Sequence, residues 1–297
     1  MPAAFQLNAR ALGCVEELSL VAQTIVEGFF DGLHRSPFLG YSTEFSAYRP
    51  YAQGDNPRHI DWKVWGRTDK LYVKQFEQYT NLRGEIFLDT SASMDFGGGE
   101  ANKFDYARVL AAVLAYLMVR QNDAPGLVLF NEKSVRAVPA RAHRNHADEI
   151  FQALSSAAAG GRTLVDSTLL QQVRELNRNG LAIVISDFFA PEETALELLR
   201  GLQIQRQEII VFQVLAPEEL ELGYAGEILF EDAESGAQLP VMAEAARKDY
   251  QRRLASFCAR LERECVQLEA DYQRLRTDQP LDYALVAYLE RRAALTG

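Results

Sequence analysis

The stretch GEIFLDTSASM, residues 84–94, decides the fold. Its first half is a short apolar run, which favours a strand buried on both faces. Its second half places Asp89, Ser91 and Ser93 at alternate positions where the run ends. Alternate residues can point at one spot as the chain leaves a strand, and ligands of open α/β sheets bind at the carboxyl ends of the strands. The stretch therefore predicts a buried strand that ends in a polar site.

Apolar runs and helical patterns alternate along most of the chain. Helices are predicted over residues 12–33, 104–121, 146–156, 167–177, 192–202, 243–271 and 281–294. Strands are predicted over residues 71–79, 84–90, 126–130, 134–138, 181–187, 208–215 and 272–277, with a hairpin over 227–241. Near-continuous Val, Ile and Leu runs between helices indicate a parallel sheet covered on both faces. The predicted fold class is α/β, a doubly wound, mostly parallel sheet with helices on both faces.

We expect three consecutive parts that form one globule. Residues 1–79 are predicted to form an N-terminal helix, a long basic and aromatic loop, and an edge strand packed on the main domain. Residues 80–216 are predicted to form the α/β core, and residues 217–297 a hairpin and helices that complete the same globule. A chain of 297 residues is long enough for one large domain with such additions.

Composition and charge narrow the class of protein. Apolar residues make up 48% of the chain, so a packed core is expected. The net charge of -10 argues against a general nucleic-acid binder, which needs a basic surface. The apolar run over residues 109–119 is too short to cross a bilayer, and the N-terminus lacks the pattern of a signal peptide. Three cysteines without metal-ligand spacing suit core packing in a reducing compartment, and we expect a cytoplasmic protein.

Two further residues extend the polar site. Thr163 follows a Gly-Gly-Arg sequence just before a predicted helix, and Asp187 ends the predicted strand LAIVISD. A doubly wound sheet would bring both residues to the edge that carries Asp89. Carboxylate and hydroxyl oxygens suit a hard cation, and Mg²⁺ readily keeps waters in addition to its protein ligands. The alternative interpretation is that the serines and Asp187 cap helices and turns.

These residues resemble a known family. The sequence DTSAS, residues 89–93, with Thr163 and Asp187, looks like the metal-ion-dependent adhesion site of von Willebrand factor A domains. The segment YRPYAQGDNPRHIDWKVWGRTDKLYVKQFE, residues 48–77, resembles the signature of a bacterial family called domain of unknown function fifty-eight. That family is often associated with MoxR-type AAA+ ATPases. The resemblance implies a von Willebrand factor A-like (Rossmann-like) fold and an assembly role with such an ATPase. It implies a metal site of five residues: Asp89, Ser91, Ser93, Thr163 and Asp187.

Three positions near the predicted site depart from the pattern of many A domains. Arg162 stands directly before Thr163, so a cation is expected close to the metal. Phe188 and Phe189 follow Asp187, where glycine is frequent. We interpret both aromatic residues as core rather than as partner contacts.

The segment before the first core strand mixes basic and aromatic residues. Arg58, Lys63 and Arg67 lie among tyrosines and tryptophans, a combination favoured at protein interfaces. We predict partner contact for these three cations. The alternative is a structural plug, in which the tryptophans pack on the sheet and the nearby aspartates pair with the arginines.

The motifs favour a binding module over an enzyme. The sequence contains no GxSxG, HExxH or GxxxxGK[ST] pattern, and it nominates no general base. We expect Mg²⁺, or alternatively Mn²⁺ or Ca²⁺, to bind with water completing its shell. A partner protein would then replace one water with an Asp or Glu carboxylate. Two alternatives stay open, a metal-dependent phosphohydrolase and a structural scaffold whose metal site is empty.

Overall fold

The fold is taken from a computed structural model. The structure describes residues 15–34, 48–50, 72–74, 82–97, 102–132, 134–143, 145–163, 165–189, 192–233 and 236–296. The chain divides into two compact units. One comprises Met1–Phe30 and Asn81–Gly297, and the other comprises Asp31–Thr80. The predicted division at residues 79 and 216 stays a prediction.

Helices and strands follow the predicted alternation. The helices are α1 Val15–His34, α2 Lys103–Arg120, α3 His146–Ser155, α4 Ser167–Glu175, α5 Glu192–Ile204, α6 Pro217–Glu221, α7 Ala243–Gln267 and α8 Asp282–Thr296. The strands are β1 Tyr48–Pro50, β2 Tyr72–Lys74, β3 Arg83–Asp89, β4 Ala124–Phe130, β5 Val135–Val138, β6 Leu181–Ser186, β7 Glu208–Leu215, β8 Glu227–Glu231, β9 Gln238–Met242 and β10 Asp271–Arg276. A short 3₁₀ helix, Ala92–Met94, and α6 were not predicted from the sequence.

The main sheet is mixed but mostly parallel, as predicted. Its six strands lie in the order β10-β7-β6-β3-β4-β5. The pairs along β10, β7, β6, β3 and β4 are parallel, and β5 runs antiparallel to β4 at one edge. Strands β4 and β6 are buried along their whole length. This burial explains their continuous apolar sequences, since helices cover both faces of such a sheet.

Helices cover the two faces of the sheet. Helix α2 lies across β3, β4, β6 and β7, and it is buried on nearly all sides. On the other face, α4, α5 and α7 enclose a core that includes Phe87, Val184 and Val211. Cys258 and Cys265 of α7 are buried and free, which confirms their prediction as core residues. Cys14 lies outside the described residues.

Helix α7 ends earlier than its pattern suggests. The prediction extended the helix to residue 271, whereas α7 ends at Gln267. Glu269 adopts a left-handed φ of 57°, and the Ala270 N–H donates to the Cys265 carbonyl at 2.8 Å. This left-handed closure is a common way to end a helix, and here it turns the chain into β10.

Two antiparallel strand pairs are separate from the main sheet. Strands β1 and β2 pair antiparallel within the Asp31–Thr80 unit. Strands β8 and β9 form the hairpin predicted over residues 227–241. Among the helices of the described residues, none has the length and apolar character needed to cross a membrane.

The chain connections reverse direction between β3 and β6 of the main sheet. From β3 the chain continues outward to β4 and β5, whereas from β6 it continues in the opposite direction to β7 and β10. The adjacent strands β3 and β6 therefore form a topological switch point, where ligands of open α/β sheets bind. Asp89 is the last residue of β3, and Asp187 directly follows β6.

Candidate functional site

Asp89 is buried at this switch point and receives hydrogen bonds from three chain segments. Its side chain has no exposed surface. The Ser91 N–H donates to Oδ1 at 2.9 Å. The hydroxyls of Ser186 and Thr163 donate to Oδ2 at 2.7 and 3.2 Å. Residues far apart in the sequence thus converge on one carboxylate.

Backbone hydrogen bonds bring Thr163 to Asp89. The Gly160 N–H donates to the Thr90 carbonyl, and the Ala92 N–H donates to the Gly161 carbonyl, both at 2.8 Å. Gly161 has a φ of 75°, a conformation that a side chain would strain. The Gly-Gly sequence before Thr163 therefore serves to dock this loop against the end of β3.

Ser91 and Ser93 lie on the turn that follows β3. Their hydroxyl oxygens are 3.0 Å apart. Ser91 is fully buried, whereas Ser93 is partly exposed. Ser91 precedes the 3₁₀ helix, but within the described residues its side chain makes no capping hydrogen bond. Helix capping therefore does not explain the Ser91 side chain.

Asp187 belongs to a buried ion-pair network. Lys103 Nζ lies 2.6 Å from Asp187 Oδ2 and 2.6 Å from Glu219 Oε1. The side chains of Lys103 and Asp187 have no exposed surface. The other oxygen of Glu219 accepts the Ala216 N–H at 2.9 Å, which ties the network to the start of α6. The network therefore links α2, the end of β6 and α6.

The residues at the carboxyl ends of β3 and β6 and the loops beside them form what we call the rim. Negative charge dominates the buried groups of this rim. Asp89, Asp187 and Glu219 contribute three carboxylates, and Lys103 contributes one ammonium. Burial and the nearby charge of Asp187 raise the pKa of Asp89 above its ordinary value, although hydrogen bonds from Ser186 and Ser91 oppose the shift. Burial also raises the pKa of Glu219, against the effect of Lys103. With all four groups ionised, three negative charges and one positive charge leave a formal net charge of -2, which a divalent cation would balance.

The sequence analysis missed Lys103, Glu219 and Ser186. The position of Lys103 in the sequence gave one indication of its role, because it is the first residue of a helix that is otherwise strongly apolar. A cation is unfavourable at the positive end of a helix dipole, so another interaction must hold it there. Glu219 carried no such signal, because its contact with Lys103 depends on the tertiary fold.

The residues that depart from the A-domain pattern differ in how far they are buried. Arg162 is exposed, whereas the next residue, Thr163, is buried. Phe188 is 3% exposed, which confirms its prediction as core. Phe189 is 38% exposed, so its prediction as core was wrong. The cause is a left-handed φ of 62° at Phe188, which changes the direction of the chain.

Arg58, Lys63 and Arg67 lie outside the described residues. Their role in partner contact stays a prediction.

The side chains at the rim have the chemistry that a hard cation requires. The five candidate residues offer two carboxylates and three hydroxyls: Asp89, Ser91, Ser93, Thr163 and Asp187. Oxygen ligands of this kind fit Mg²⁺, and the hydroxyl oxygens keep lone pairs while they donate. In the part of the chain that the structure describes, no three His, Cys, Asp or Glu side chains cluster as a metal site. A cation here would therefore depend on the hydroxyl groups as well as on the carboxylates.

The fold and the rim together define an α/β protein with a buried polar cluster at the switch point of a mostly parallel sheet. Residues 47–259 match the family described as "Protein of unknown function DUF58". The chain belongs to this family.

Relatives of this chain occur in mycobacteria. The uncharacterized protein Rv1480 of Mycobacterium tuberculosis is 30% identical over 298 residues, which cover 98% of this chain and 93% of that protein. The uncharacterized protein MAV169 of Mycobacterium avium is 29% identical over 166 residues, which cover 54% of this chain and 97% of that protein.

Similar solved structures have lower sequence identity. The conserved hypothetical protein BatB from Bacteroides thetaiotaomicron is 17% identical, with 72% of this chain and 99% of that chain covered and a TM-score of 0.47. An aerotolerance-related membrane protein from Bacteroides fragilis is 18% identical, with 70% and 97% covered and a TM-score of 0.45.

Proposed function

We propose that this protein is a metal-dependent protein-binding module. In this proposal Mg²⁺, or alternatively Mn²⁺ or Ca²⁺, is held by the five rim residues Asp89, Ser91, Ser93, Thr163 and Asp187. The bound cation supplies positive charge to which an Asp or Glu carboxylate of a partner protein binds. The protein chain itself contributes the oxygen ligands, their orientation and the exclusion of bulk water.

The convergence on Asp89 is the observation that carries this proposal. Three segments direct donors at a carboxylate with no exposed surface, and burial together with the charge of a second carboxylate, Asp187, raises the pKa of Asp89. Assembling two like charges in a buried site is costly without a compensating cation. Lys103 offsets part of this charge, and a divalent cation would offset the rest.

We further propose that the sheet is von Willebrand factor A-like and that the module acts with a MoxR-type AAA+ ATPase in assembling or maturing other proteins. The order of the rim residues along the chain supports the first part. Asp89, Ser91 and Ser93 come first, Thr163 follows in a glycine-flanked loop, and Asp187 ends the next parallel strand. Membership of the family supports the second part, through the association that the sequence resemblance implies.

Co-purification from the native host tests the partner-binding function. With Mg²⁺ present, we expect the wild-type protein to retain a partner that is released by a chelator. Asp89→Ala is expected to lose this partner while circular dichroism shows the fold intact. The control Asp148→Ala removes an exposed carboxylate from α3 and is expected to bind as the wild type does. Equal retention with and without chelator contradicts the proposal.

One observation favours a second candidate, a structural scaffold without a metal. The Lys103 ammonium already neutralises Asp187 at 2.6 Å. In that case calorimetry shows no heat on titration with Mg²⁺ or Mn²⁺, and the rim serves to hold α2, β6 and α6 together.

A further inference from the structure

Two large aromatic side chains are exposed beside the rim. Phe96 is 39% exposed and Phe189 is 38% exposed. Phe96 lies two residues after the 3₁₀ helix, which begins after Ser91 and contains Ser93, and Phe189 lies two residues after Asp187. The loops that carry the candidate metal ligands therefore also carry exposed aromatic rings.

Both rings lie close to the same ammonium. Lys103 Nζ is 5.7 Å from the centre of the Phe96 ring and 4.9 Å from the centre of the Phe189 ring. Both distances are within the range of cation–π contacts. Because that ammonium also binds Asp187, the rings border the candidate metal site itself.

The backbone before Phe189 is held in an unfavourable conformation. Phe188 has a φ of 62°, which is rare for a bulky aromatic residue and strained. Side chains from the end of β6 stabilise it, since Ser186 Oγ accepts the Phe188 N–H at 2.9 Å and Asp187 Oδ1 accepts the Phe189 N–H at 3.0 Å. The result is a buried Phe188 and an outward Phe189. Strain of this kind concentrates at functional sites.

The Phe189 ring also contacts a second aromatic ring. Its ring centre is 5.8 Å from that of Phe257, a partly buried residue of α7. Exposed aromatic rings at the border of a polar site combine large apolar area with low conformational entropy, which suits them to recognise a partner.

We propose that Phe96 and Phe189 form an aromatic docking surface for an apolar side chain that neighbours the partner's carboxylate. This inference rests on the proposed function. A carboxylate is shared by all acidic segments, so the cation alone cannot select among partners. The docking surface would favour an Asp or Glu flanked by a Leu, Ile, Met or Phe over one flanked by small polar residues. It therefore supplies specificity, while the rim supplies the charge interaction.

Two capped peptides test the docking surface. The peptides acetyl-Gly-Leu-Asp-Gly-amide and acetyl-Gly-Ser-Asp-Gly-amide are titrated into the full chain in saturating Mg²⁺, and binding is followed by NMR shifts. We expect the wild-type protein to bind the leucine peptide about tenfold more tightly, which corresponds to about 1.4 kcal/mol. In Phe96→Ala and Phe189→Ala this preference is expected to fall to about twofold or less, because the apolar contact is lost.

Two further variants separate docking from folding. Phe189→Leu keeps apolar area but removes the ring over Lys103, so the preference for the leucine peptide is expected to persist. Tyr283→Ala removes an aromatic residue of α8 that is 68% exposed, and it is expected to behave as the wild type does. A loss of the preference in Phe189→Leu that equals the loss in Phe189→Ala would assign the ring to Lys103 rather than to the ligand.

Calorimetric titration of Mg²⁺ into the same samples distinguishes failure of the docking surface from failure of the proposed function. If Mg²⁺ binds and the wild-type protein shows equal affinity for both peptides, the docking surface is refuted and the metal site stands. The docking surface is also refuted if the preference persists in both alanine variants. If Mg²⁺ binds and neither peptide does, the docking surface and the carboxylate-binding step are both refuted. If Mg²⁺ does not bind, the proposed function is refuted, and this inference with it.

Discussion

Strand β3 carries an acidic residue near each end, and the two are accommodated in different ways. At the carboxyl end, Asp89 receives donors from Ser91, Thr163 and Ser186. At the amino end, Glu85 lies partly buried beside the backbone of Ala140. Burial raises the pKa of both carboxyl groups. Burial alone therefore does not mark a candidate site, whereas convergence of separate segments does.

The environment of Glu85 is built mainly by neighbouring strands. Glu85 pairs in register with Gly126 of β4, and a side chain at Gly126 would collide with the Glu85 carboxyl group. The group borders a cleft of about 190 Å³, and the backbone of Ala140 and the charge of Arg83 only partly oppose the effect of burial on its pKa. Because Gly126 has no side chain, the Glu85 carboxyl group can occupy the space beside it. At Asp89, by contrast, loops are docked to deliver specific donors.

The largest expected effect comes from removing the Lys103 ammonium near the carboxyl end of β3. Lys103→Met leaves Asp187 and Glu219 buried without their shared partner. We expect the free energy of unfolding, measured by urea titration in chelator, to fall by about 3–5 kcal/mol.

A matched control lies at the opposite end of the same helix. Arg120 of α2 is exposed, and its guanidinium lies 5.2 Å from the centre of the Phe30 ring, so Arg120→Met is expected to change the free energy of unfolding by about 1 kcal/mol or less. Equal stability of the two variants would show that the buried ion pairs contribute little.

The next effect concerns the amino end and depends on pH. Burial raises the pKa of Glu85 from 4.5 to about 7. The folded state then binds its proton more tightly than the unfolded state does, so this group's stabilising effect is present below about pH 4.5 and is lost as the pH rises towards 7. Glu85→Gln is expected to remove this loss, so relative to the wild type it gains on the order of 3 kcal/mol between pH 4.5 and pH 8.

Urea titrations of both proteins across that pH range measure the difference. Glu175→Gln, a substitution of an exposed glutamate that lines the same cleft, serves as the control. A stability difference between Glu85→Gln and wild type that stays constant with pH would contradict the effect of burial on the pKa of Glu85.

The smallest expected effect concerns the hydroxyl groups of the rim. Ser93→Ala removes the hydroxyl that lies 3.0 Å from Ser91 Oγ. Without metal, we expect a loss of about 1 kcal/mol or less in the free energy of unfolding. With Mg²⁺, the affinity measured by calorimetry should fall, because one candidate ligand is gone. Ser256→Ala, at an exposed position of α7, is expected to change neither quantity. Unaltered Mg²⁺ affinity in Ser93→Ala would remove Ser93 from the ligand set.

The sequence predicts the parts of this arrangement that depend on regular structure. The ends of β3 and β6 are recognisable because their apolar runs stop at Asp89 and Asp187, and parallel neighbours bring such ends together. Thr163 was predictable from its glycine-flanked loop and its order in the chain. These positions require no knowledge of individual side-chain contacts.

The unpredicted parts depend on contacts that the sequence pattern does not encode. Lys103 and Glu219 are 116 residues apart, and their ion pair exists because α6 packs near the start of α2. Phe189 is exposed because Phe188 takes a left-handed φ, which in turn depends on hydrogen bonds from Ser186 and Asp187. The sequence interpretation assigned both phenylalanines to the core, because the sequence carries no information about a single backbone reversal.

Calorimetric titration of Mg²⁺ into the wild-type protein and Asp89→Asn tests the central claim most directly. We expect one Mg²⁺ per wild-type chain, and thermal unfolding should then show stabilisation of about 2.7 kcal/mol when Mg²⁺ is present at a hundred times its dissociation constant. Asp89→Asn, which keeps the shape of the side chain, is expected to show neither heat nor stabilisation. A wild-type protein that gives no Mg²⁺ heat, or an Asp89→Asn variant that binds as tightly as the wild type, would contradict the account.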